Sequence, residues 1–513
     1  MALLALDIGT TGCKAATFTP DGTPLAAAYG EYYWQTPRPG SAELDAADIW
    51  ERIKNTIRQV TARREHPPVS TVAVSSLGEA VVPVSADRRI LGPSLLNFDA
   101  RGNEYVAGLG NAFPPQRLYN LTGQLCASHY GLFKLMWLFR NAPELYERTY
   151  KFLPWGAFAS FMLGAEPVVD YSLASRLLCL DLDRSAWSTE VLAHAGLDPE
   201  KLPKPVPAGT PIGTVAPAVA ADLGLPPGVT IVAGCHDQCA TAIGCGAIAP
   251  GTAACSMGTF FCLTPVFAGR KPADRLLRWG LNTEHHGVPG RFVTLVYNQG
   301  GALLRWYRDT FAAAEHRAAQ TTGRDVYPAL LAEAPDGPSD VLVLPHFIAT
   351  GPPEFISATS GVVAGLRVST QRGDILKGIL DGVVYYLRAC VDALPEAGIA
   401  IREFRAAGGG SRSDKWLQAC ADILNRPFAR VADSEAGLRG TAVLAGLGAG
   451  GVAGRPAFRT AEDGVAAMVR SYRTFEPDPR RVEQYTARYA HYRRLGSTLR
   501  EYLSNLSSTA RSP

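Results

Sequence analysis

Two short Gly-Thr turns, each flanked by apolar runs with strand character, constrain the fold of this chain more than any other feature. The first is Asp7-Ile-Gly-Thr-Thr, which lies between the runs Leu3–Leu6 and Cys13–Phe18. The second is Ser256-Met-Gly-Thr-Phe, near the middle of the chain. A polar turn between two β-type runs predicts a hairpin. Its recurrence predicts an internal duplication, and we place the boundary between the two halves near residues 245–252.

Length and composition agree with two domains and exclude several classes of protein. A chain of 513 residues with 47% hydrophobic content can bury a large core and exceeds the size of a single domain. Its formal net charge of +3 gives no reason to expect a nucleic acid as partner. The 10 cysteines are too sparse for a disulfide scaffold, and the first residues lack the basic region of a signal peptide. We therefore expect a cytosolic, cytoplasmic protein with no membrane partner.

The order of apolar and amphipathic segments along the chain is typical of an α/β protein. Short apolar runs alternate with amphipathic stretches along its whole length, which is typical of α/β architectures. Asp478-Pro479 is a good helix start, because an N-cap carboxylate precedes proline in the first turn. An apolar stripe then follows through Tyr485, Tyr489 and Tyr492. The basic residues between them are more typical of the solvated face of a packing helix than of a nucleic-acid site.

The first turn has the residues of a phosphate-binding hairpin. A tight Gly/Thr hairpin exposes backbone N–H groups and hydroxyls, which can cradle phosphate oxygens. Asp7 would hold the metal that accompanies a nucleotide, and Lys14 would add a positive charge. The turn is not a Walker A loop, since the Gly-Lys-Ser/Thr ending is missing. An ordinary hairpin with a surface aspartate remains the alternative interpretation.

A second group of polar residues follows the apolar run that begins near Val229. The sequence is Gly234-Cys-His-Asp-Gln-Cys239, and an aspartate at the end of a buried strand can take a proton from an attacking hydroxyl. A structural zinc site at Cys235, His236 and Cys239 is the competing interpretation. No second Cys/His pair with matching spacing lies nearby in the sequence, which disfavours zinc.

A third candidate is the glycine-rich stretch 408–414, which precedes a segment with an apolar helical face. Glycines before a helix let the backbone lie flat against a planar or charged ligand. A flexible joint between a strand and a helix is an equally good interpretation of this stretch alone.

Together these segments resemble the FGGY family of carbohydrate kinases, from Ala2 to about Leu503. The matching stretches occur in the family's order: ALDIGTTGCKAATF, SAELDAADIWERI, LLNFDAR, VVDYSLASRLLCLD, GCHDQCATAIGCGAIAPGTAACSMGTF, YNQGGALLRWYRD and AAGGGSRSDKWLQACADILNRPF. Each stretch alone is a weak signal, but the ordered series is specific.

The resemblance implies an α/β fold of two ribonuclease-H-like domains of the actin/hexokinase/Hsp70 type, flanking an interdomain cleft. We expect these domains at residues 1–247 and 248–513. It implies an ATP-dependent kinase that uses Mg²⁺ and phosphorylates a small sugar or polyol. Asp237 then matches the general base, and Asp7 matches the carboxylate associated with Mg²⁺. The resemblance leaves a homodimer open.

The resemblance also assigns the nucleotide contacts. The two hairpins would hold the phosphates and the later segments would line the nucleoside. The residues expected to bind ATP are Thr10, Thr11, Lys14, Gly258, Thr259, Gly301, Arg305, Gly409, Gly410 and Ser413.

The substrate is less well specified, because this chain departs from the family's sugar-facing motifs. Glu79 matches the glutamate of glycerol kinases, but the arginine beside it is replaced by Gly78. The expected hydroxyl contacts are Glu79, Asp99, His129, His236 and Gln238. A ketopentose such as xylulose is our best prediction, with glycerol or a tetritol as alternatives. A sugar or nucleotide sensor without activity, and an ATPase without a sugar acceptor, are the alternatives from other classes.

Overall fold

The computed structural model describes residues 1–63, 65–356, 359–432, 435–448 and 455–509. The strands and helices that precede residue 248 are β1 (Ala2–Ile8), β2 (Gly12–Phe18), β3 (Pro24–Glu31), β4 (Glu43–Leu44), α1 (Ala46–Thr61), β5 (Val69–Ser76), β6 (Val81–Val84), β7 (Ser94–Leu95), α2 (Val106–Ala112), α3 (Pro115–Thr122), α4 (Gly131–Asn141), α5 (Pro143–Arg148), β8 (Lys151–Pro154), α6 (Trp155–Leu163), β9 (Val168–Asp170), α7 (Tyr171–Ser175), β10 (Leu180–Asp181), β11 (Ala186–Trp187), α8 (Thr189–Ala195), β12 (Lys204–Val206), β13 (Pro211–Thr214), α9 (Pro217–Leu223), β14 (Thr230–His236) and α10 (Asp237–Gly244).

The later elements are β15 (Thr252–Met257), β16 (Phe260–Ala268), α11 (Ala273–Leu277), β17 (Glu284–His285), β18 (Arg291–Val293), β19 (Val296–Gln299), α12 (Gly301–Phe311), α13 (Ala313–Thr321), α14 (Tyr327–Glu333), β20 (Leu342–Leu344), β21 (Val362–Ala364), α15 (Arg372–Ala393), β22 (Glu403–Ala407), α16 (Asp414–Leu424), β23 (Phe428–Val431), α17 (Ala436–Leu447), α18 (Ala461–Met468), β24 (Ser471–Phe475) and α19 (Pro479–Thr509). Short 3₁₀ turns occupy Asn103–Tyr105, Pro199–Lys201, Leu394–Ala397 and Gly409–Arg412.

The first half of the chain is built on one mixed sheet. Its strand order is β13-β14-β5-β1-β2-β3. β1 and β2 form the predicted antiparallel hairpin, with Leu3 opposite Phe18. β5 lies parallel to β1 on its other side, and β14 lies parallel to β5. The first Gly-Thr turn therefore lies at the same edge of this sheet as the carboxyl ends of β5 and β14.

The second half repeats this pattern. Its sheet has the order β17-β18-β16-β15-β22-β23-β24, and β19 also pairs with β16. β15 and β16 form an antiparallel hairpin around the second Gly-Thr turn. β22 then lies parallel to β15, and β23 lies parallel to β22. A hairpin followed by parallel strands in both halves confirms the predicted fold, two ribonuclease-H-like α/β units of the actin/hexokinase type.

The two halves are joined most closely where α10 crosses α17. A Cβ atom on Gly244 would lie 1.8 Å from the backbone oxygen of Ala436, and one on Gly440 would lie 1.8 Å from that of Ala240. The absence of side chains at both glycines lets the two helices touch backbone to backbone. α17 also packs against β1 and β5 of the first sheet. One hydrophobic core therefore contains residues of both halves, and a division between residues 247 and 248 remains a proposal.

We expect Gly440→Ala to destabilise the protein, although alanine normally favours a helix. The new Cβ would meet the backbone oxygen of Ala240, which cannot move without moving α10, and overpacking of this kind costs about 1–3 kcal/mol. Gly496→Ala in α19 is the matched control, because the nearest atom to its Cβ is a Leu344 methyl carbon at 3.8 Å. That control should stabilise the helix by up to about 1 kcal/mol. Urea denaturation of both variants measures how each changes the free energy of unfolding. Equal changes would contradict the close contact between α10 and α17.

The C-terminal helix α19 begins where the sequence predicts. The backbone N–H of Arg480 donates to Oδ1 of Asp478 at 2.9 Å, which is an N-cap bond. Tyr485, Tyr489 and Tyr492 are buried in the hydrophobic core of the second half of the chain. Among the residues that the structure describes, no helix is both long enough and apolar enough to cross a bilayer.

Candidate active site

Asp237 lies at the carboxyl end of β14, where the strand passes directly into α10. β14 is buried along its whole length, so its end is fixed within the sheet. The backbone N–H of the preceding residue, His236, donates to Oγ of Ser172 at 2.9 Å, and that hydroxyl donates to Asp170. The side chain of Asp237 keeps 30% exposure. A rigidly placed carboxylate therefore opens onto solvent at the edge of the sheet.

A chain of alternating charges runs from Asp237 into the protein. Nε2 of His236 lies 3.2 Å from Oδ1 of Asp237, and Nδ1 of His236 lies 3.1 Å from Oε1 of Glu284. Nη1 of Arg176 donates to Oε2 of Glu284 at 2.9 Å, and Nε of Arg176 donates to Oε1 of Glu79 at 2.9 Å. We call these five residues the charge chain. It brings three predicted site residues, Asp237, His236 and Glu79, into one continuous network.

The charges of the charge chain affect the ionisation of His236, Asp237 and Glu284. Burial alone would lower the pKa of His236, but the carboxylates of Asp237 and Glu284 outweigh burial and raise it. Removal of water raises the pKa of Asp237, and His236 opposes that rise. Burial would also raise the pKa of Glu284, yet Arg176 and His236 hold it below its usual range. The network therefore favours the ionised forms of His236 and Glu284, and its histidine limits the rise in the pKa of Asp237.

Gly78 and Glu79 explain one departure from the glycerol-kinase motif. A Cβ atom on Gly78 would lie 2.8 Å from Cγ of Arg176, so the Arg176 side chain fills the space beside this glycine. Glu79 has a φ of 48°, a backbone conformation that non-glycine residues rarely adopt. Such strain persists where surrounding contacts hold it, often at functional sites. Arg176, which directly follows α7, thus lies next to Glu79. In the glycerol-kinase motif the arginine is instead the sequence neighbour of the glutamate.

His129 and Gln238 lie beside the charge chain. The ring of His129 packs on that of Tyr130 with centroids 4.1 Å apart, and the guanidinium of Arg176 lies over the Tyr130 ring at 5.2 Å. Burial lowers the pKa of His129 to about 4, so its imidazole is neutral near pH 7. Oε1 of Gln238 is buried without a hydrogen-bond partner among the described residues. Both side chains offer neutral polar atoms close to Glu79 and Asp237.

Asp99 differs from the other predicted substrate contacts. Its side chain is 0% exposed. Its Oδ2 accepts the backbone N–H of Ala42 at 2.7 Å, and its Oδ1 accepts Nε of Arg101 at 2.9 Å. These bonds hold the pKa of Asp99 below its usual range against the opposing effect of burial. They occupy both oxygens, so they disfavour our expectation that Asp99 contacts the substrate.

The first hairpin places its turn at the surface, with Asp7 half-buried near the end of β1. The backbone N–H of Gly9 donates to the oxygen of Gly12 at 2.9 Å, which closes the turn, and Thr10 and Thr11 lie at its tip. Lys14 does not extend freely from β2. Its Nζ forms an ion pair with Glu435 at the start of α17, at 2.5 Å. This pair connects the first hairpin to the second half of the chain.

Asp7 has the surroundings of a cation ligand. Oγ of Ser75 donates to its Oδ1 at 3.0 Å. A Cβ atom on Gly437 would lie 3.5 Å from Asp7 Oδ2 and from Thr241 Oγ1, so a carboxylate and a hydroxyl converge beside the α10–α17 crossing. Burial and the nearby charge of Asp237 raise the pKa of Asp7 to about 6. A bound cation would remove this conflict between the two carboxylates.

The second hairpin and the start of α12 form one unit. The backbone N–H of Gly258 donates to the oxygen of Phe260 at 3.1 Å, and that of Gly301 donates to the oxygen of Gly258 at 2.9 Å. A Cβ atom on Gly301 would lie 2.6 Å from that same Gly258 oxygen, so only glycine permits this approach. Thr259 is exposed at the tip. Arg305 is exposed one turn further along α12.

The glycine-rich stretch lies against the same hairpin. A Cβ atom on Gly410 would lie 3.0 Å from Cβ of Met257, the last residue of β15. Gly409 is exposed, and a Cβ atom on it would have no neighbour within 4 Å in the described part of the chain, so its backbone is open on that side. Oγ of Ser413 caps α16 by accepting the backbone N–H of Trp416 at 3.2 Å. The predicted nucleoside residues therefore adjoin the predicted phosphate residues of this half.

The zinc interpretation does not suit this arrangement. In the part of the chain that the structure describes, the side chains that come close enough to share an ion are His236, Cys239 and Glu284, and Cys235 is not among them. Glu284 is already paired with Arg176, and burial raises the pKa of the Cys239 thiol well above its ordinary value. A neutral thiol and a carboxylate held by arginine make a poor zinc site.

Arg176 and Glu284 are the site residues that sequence reasoning missed. Arg176 follows the Asp-Tyr-Ser-x-Ala-Ser motif directly, so the motif could have indicated it. Glu284 comes from β17, far along the chain, and lies outside the stretches that resemble the family's motifs. Its presence beside His236 depends on how β17 is fixed to the first half. The backbone N–H of Thr283 donates to the oxygen of Gly123 at 2.7 Å.

Comparison with known families accounts for most of the chain. Residues 2–244 match the N-terminal domain of the FGGY family of carbohydrate kinases. Residues 253–449 match the C-terminal domain of the same family. The interval between the two matches falls at the boundary region that the internal duplication predicts.

Known relatives differ in the substrate that their names state. A gluconokinase of Bacillus licheniformis is 28% identical over 448 residues, which is 86% of this chain and 86% of that protein. A xylulose kinase of Bacillus subtilis is 23% identical over 513 residues, covering 98% of this chain and 99% of that protein. The solved structure of a xylulose kinase from Rhodospirillum rubrum has a TM-score of 0.84 and 27% identity, and the match covers 98% of this chain and 100% of that one.

Proposed function

Because the chain belongs to the FGGY family of carbohydrate kinases, whose members transfer a phosphoryl group from ATP to a sugar or polyol, we propose that its acceptor is a small neutral sugar or polyol. A ketopentose such as xylulose is the first candidate. The observation that carries the proposal is the charge chain, which leaves one accessible carboxylate, Asp237, in a site rich in negative charge. The similarity to a xylulose kinase over nearly the whole chain supports the same candidate.

Asp237 is suited to act as the general base. In the proposed reaction a substrate hydroxyl loses its proton to the Asp237 carboxylate while its oxygen bonds to the γ-phosphorus. The bond from that phosphorus to the bridging oxygen breaks, and ADP leaves with the electron pair. His236 favours the ionised form of the carboxylate, because its charge opposes the rise that burial causes in the pKa of Asp237. Such general-base assistance is worth about 10²–10⁴-fold in rate.

The hairpins are suited to hold the phosphates. Thr10 and Thr11 of the first turn, and Gly258 and Thr259 of the second, lie at the tips of their turns. Backbone N–H groups and hydroxyls at such tips can bind phosphate oxygens. The proposed nucleoside contacts adjoin the second turn through Gly301 and Gly410. Phosphoryl transfer depends mainly on positioning and charge neutralisation, which these groups provide.

The family uses a divalent metal with ATP, and we propose Mg²⁺ with Asp7 as its protein ligand, directly or through water. The donors near this position are the Asp7 carboxylate and the Thr241 hydroxyl, and Mg²⁺ prefers oxygen ligands. The raised pKa of Asp7 is that of a carboxylate without a sufficient counter-charge, which fits a cation position. When bound, Mg²⁺ neutralises charge on the phosphate oxygens.

The charges of the site favour a neutral acceptor over an aldonate. Four carboxylates, those of Asp7, Asp237, Glu79 and Glu284, lie near three cations, Arg176, His236 and Lys14. Arg176 and His236 are already engaged by carboxylates of the charge chain, and Lys14 is paired with Glu435. An acceptor with its own carboxylate would therefore meet the like charges of these carboxylates, which costs several kcal/mol. Neutral hydroxyls can instead bind Glu79, His129 and the unpartnered oxygen of Gln238.

We expect an ADP-release assay with Mg·ATP to give the highest kcat/KM with a ketopentose. The panel should include xylulose, other ketopentoses, tetritols, glycerol, hexuloses and gluconate. Gluconate should react with a kcat/KM at least about tenfold lower, which corresponds to about 1.4 kcal/mol. A preference for gluconate would contradict the charge argument. Bound ATP without turnover on any acceptor would favour a sensor, and strong hydrolysis without an acceptor would favour an ATPase.

A further inference from the structure

Glu284 reaches the proposed base from the other half of the chain. It lies on β17, a strand of the second sheet, and its side chain is 0% exposed. Nδ2 of Asn282 and Nη1 of Arg176 donate to its Oε2 at 3.0 and 2.9 Å. These two donors fix the carboxylate so that its other oxygen, Oε1, faces Nδ1 of His236 at 3.1 Å. The orientation of Glu284 is therefore set independently of His236.

The imidazole of His236 lies between two carboxylates. Its Nδ1 faces Glu284 and its Nε2 faces Asp237, at 3.1 and 3.2 Å. Ionised carboxylates only accept hydrogen bonds, and a neutral imidazole carries only one N–H. Two such neighbours therefore favour the imidazolium form, in which both nitrogens carry a proton.

The other charged groups near His236 do not replace Glu284. Arg176 lies beyond Glu284 and disfavours a proton on His236. Asp170 lies on the side of the backbone, where burial raises its pKa to about 6 and Ser172 donates to it. Glu79 faces Asp237 but is bound by Arg176. Glu284 is thus the carboxylate that is both ionised and in direct contact with Nδ1 among the described residues.

We propose that Glu284 is a positioning residue that holds His236 as an imidazolium against Asp237, so that the base stays ionised and fixed in place. This inference rests on Asp237 as the base of the proposed function. Glu284 does not touch the substrate; it acts through His236. The second half of the chain therefore contributes to the base that the first half carries. The raised pKa of His236 agrees with this arrangement.

The variant Glu284→Gln tests the proposal, because it retains the shape of the side chain and removes its charge. His236 should then become neutral near pH 7, and Asp237 should lose the cation that lowers its pKa. An opposite charge at this distance changes a carboxyl pKa by about one unit or more. We expect the acidic limb of the kcat/KM profile to move to higher pH by about one unit, with a plateau near wild type at alkaline pH. A loss that is equal at every pH, or an unchanged profile, would overturn the proposal.

Two further variants make the result specific. His236→Gln should move the same limb, and His236→Gln/Glu284→Gln should move it no further, because Glu284 acts only through His236. Additive shifts would overturn the proposal. If Glu284→Gln does not fold, an acidic limb that stays at the wild-type pH in His236→Gln would also overturn it, because Glu284 is proposed to act only through His236. His286→Gln is the matched control: this buried histidine lies on the same segment and accepts the N–H of Val288 at 2.9 Å. Its acidic limb should stay at the wild-type pH.

Asp237→Asn, measured beside these variants, separates the two proposals. If Asp237→Asn loses turnover and Glu284→Gln keeps the wild-type pH profile, only the role of Glu284 is wrong. If Asp237→Asn keeps turnover within about tenfold of wild type, far less than loss of a general base costs, the assignment of the base is wrong and the inference fails with it.

Discussion

Asp237→Asn should lower kcat by about 10²–10⁴-fold, the usual contribution of a general base. Asparagine has nearly the same size, and it can still lie beside His236, so the loss is chemical and not steric. The affinity for ATP should change little, because the missing group acts on the acceptor hydroxyl. Steady-state kinetics with the best acceptor gives the loss of turnover. Binding of ATP without acceptor, measured by calorimetry, gives the nucleotide affinity.

Asp183→Asn is a matched control for Asp237→Asn. Asp183 is 67% exposed and forms an ion pair with Arg270 at 3.1 Å. Exposed pairs of this kind contribute at most about 1 kcal/mol to stability. Turnover of the control should therefore stay within about twofold of wild type. If both variants lost activity equally, the loss in Asp237→Asn would reflect altered folding and not a missing base.

Asp381→Ala should destabilise the protein more strongly than Gly440→Ala does. Asp381 and Lys377 form an ion pair inside α15, with side chains 3% and 2% exposed. Nζ of Lys377 also donates to the Tyr485 hydroxyl of α19 at 2.6 Å. Removal of Asp381 leaves a buried ammonium without its counter-charge, which typically costs about 3–5 kcal/mol. The free energy of unfolding from urea denaturation measures this loss.

Replacement of both charged partners tests the reason for that loss. The double variant Lys377→Met/Asp381→Asn removes both charges, and asparagine can still accept the N–H of Ser339, which lies 3.2 Å from Asp381 Oδ2. Replacing a whole buried ion pair is often close to neutral. We therefore expect the double variant to be more stable than Asp381→Ala by at least about 2 kcal/mol, within the range that removal of one partner costs. Equal stability would mean that the cavity, and not the unpaired charge, causes the loss.

The parts of the fold that local patterns control could be predicted from the sequence. Each Gly-Thr turn lies between β-type runs, and both form the predicted hairpins. The helix that begins after Asp478 starts with the predicted cap. The end of β14 carries Asp237 where the predicted strand stops. Turn residues, caps and apolar runs act on neighbours in sequence, so one chain is enough to recognise them.

The sequence could not show how the predicted site residues are arranged relative to one another. Asp237, His236 and Glu79 lie in one network, while both oxygens of Asp99 accept hydrogen bonds from Ala42 and Arg101. The family resemblance identified residue types that can bind hydroxyls. It could not show whether those atoms were already used by the protein itself, because hydrogen bonds between distant segments leave no local pattern.

The sequence by itself determined the two hairpins, the α/β class, the duplicated halves and the family, since each depends on local patterns or on ordered motifs. Only the tertiary structure placed Glu284 against His236, let Arg176 fill the space beside Gly78, and joined the halves through Gly244 and Gly440. The physical reason is the same in all three. Charge pairing and close backbone contact depend on distances in space, and the folded chain sets those distances between residues that are far apart in sequence.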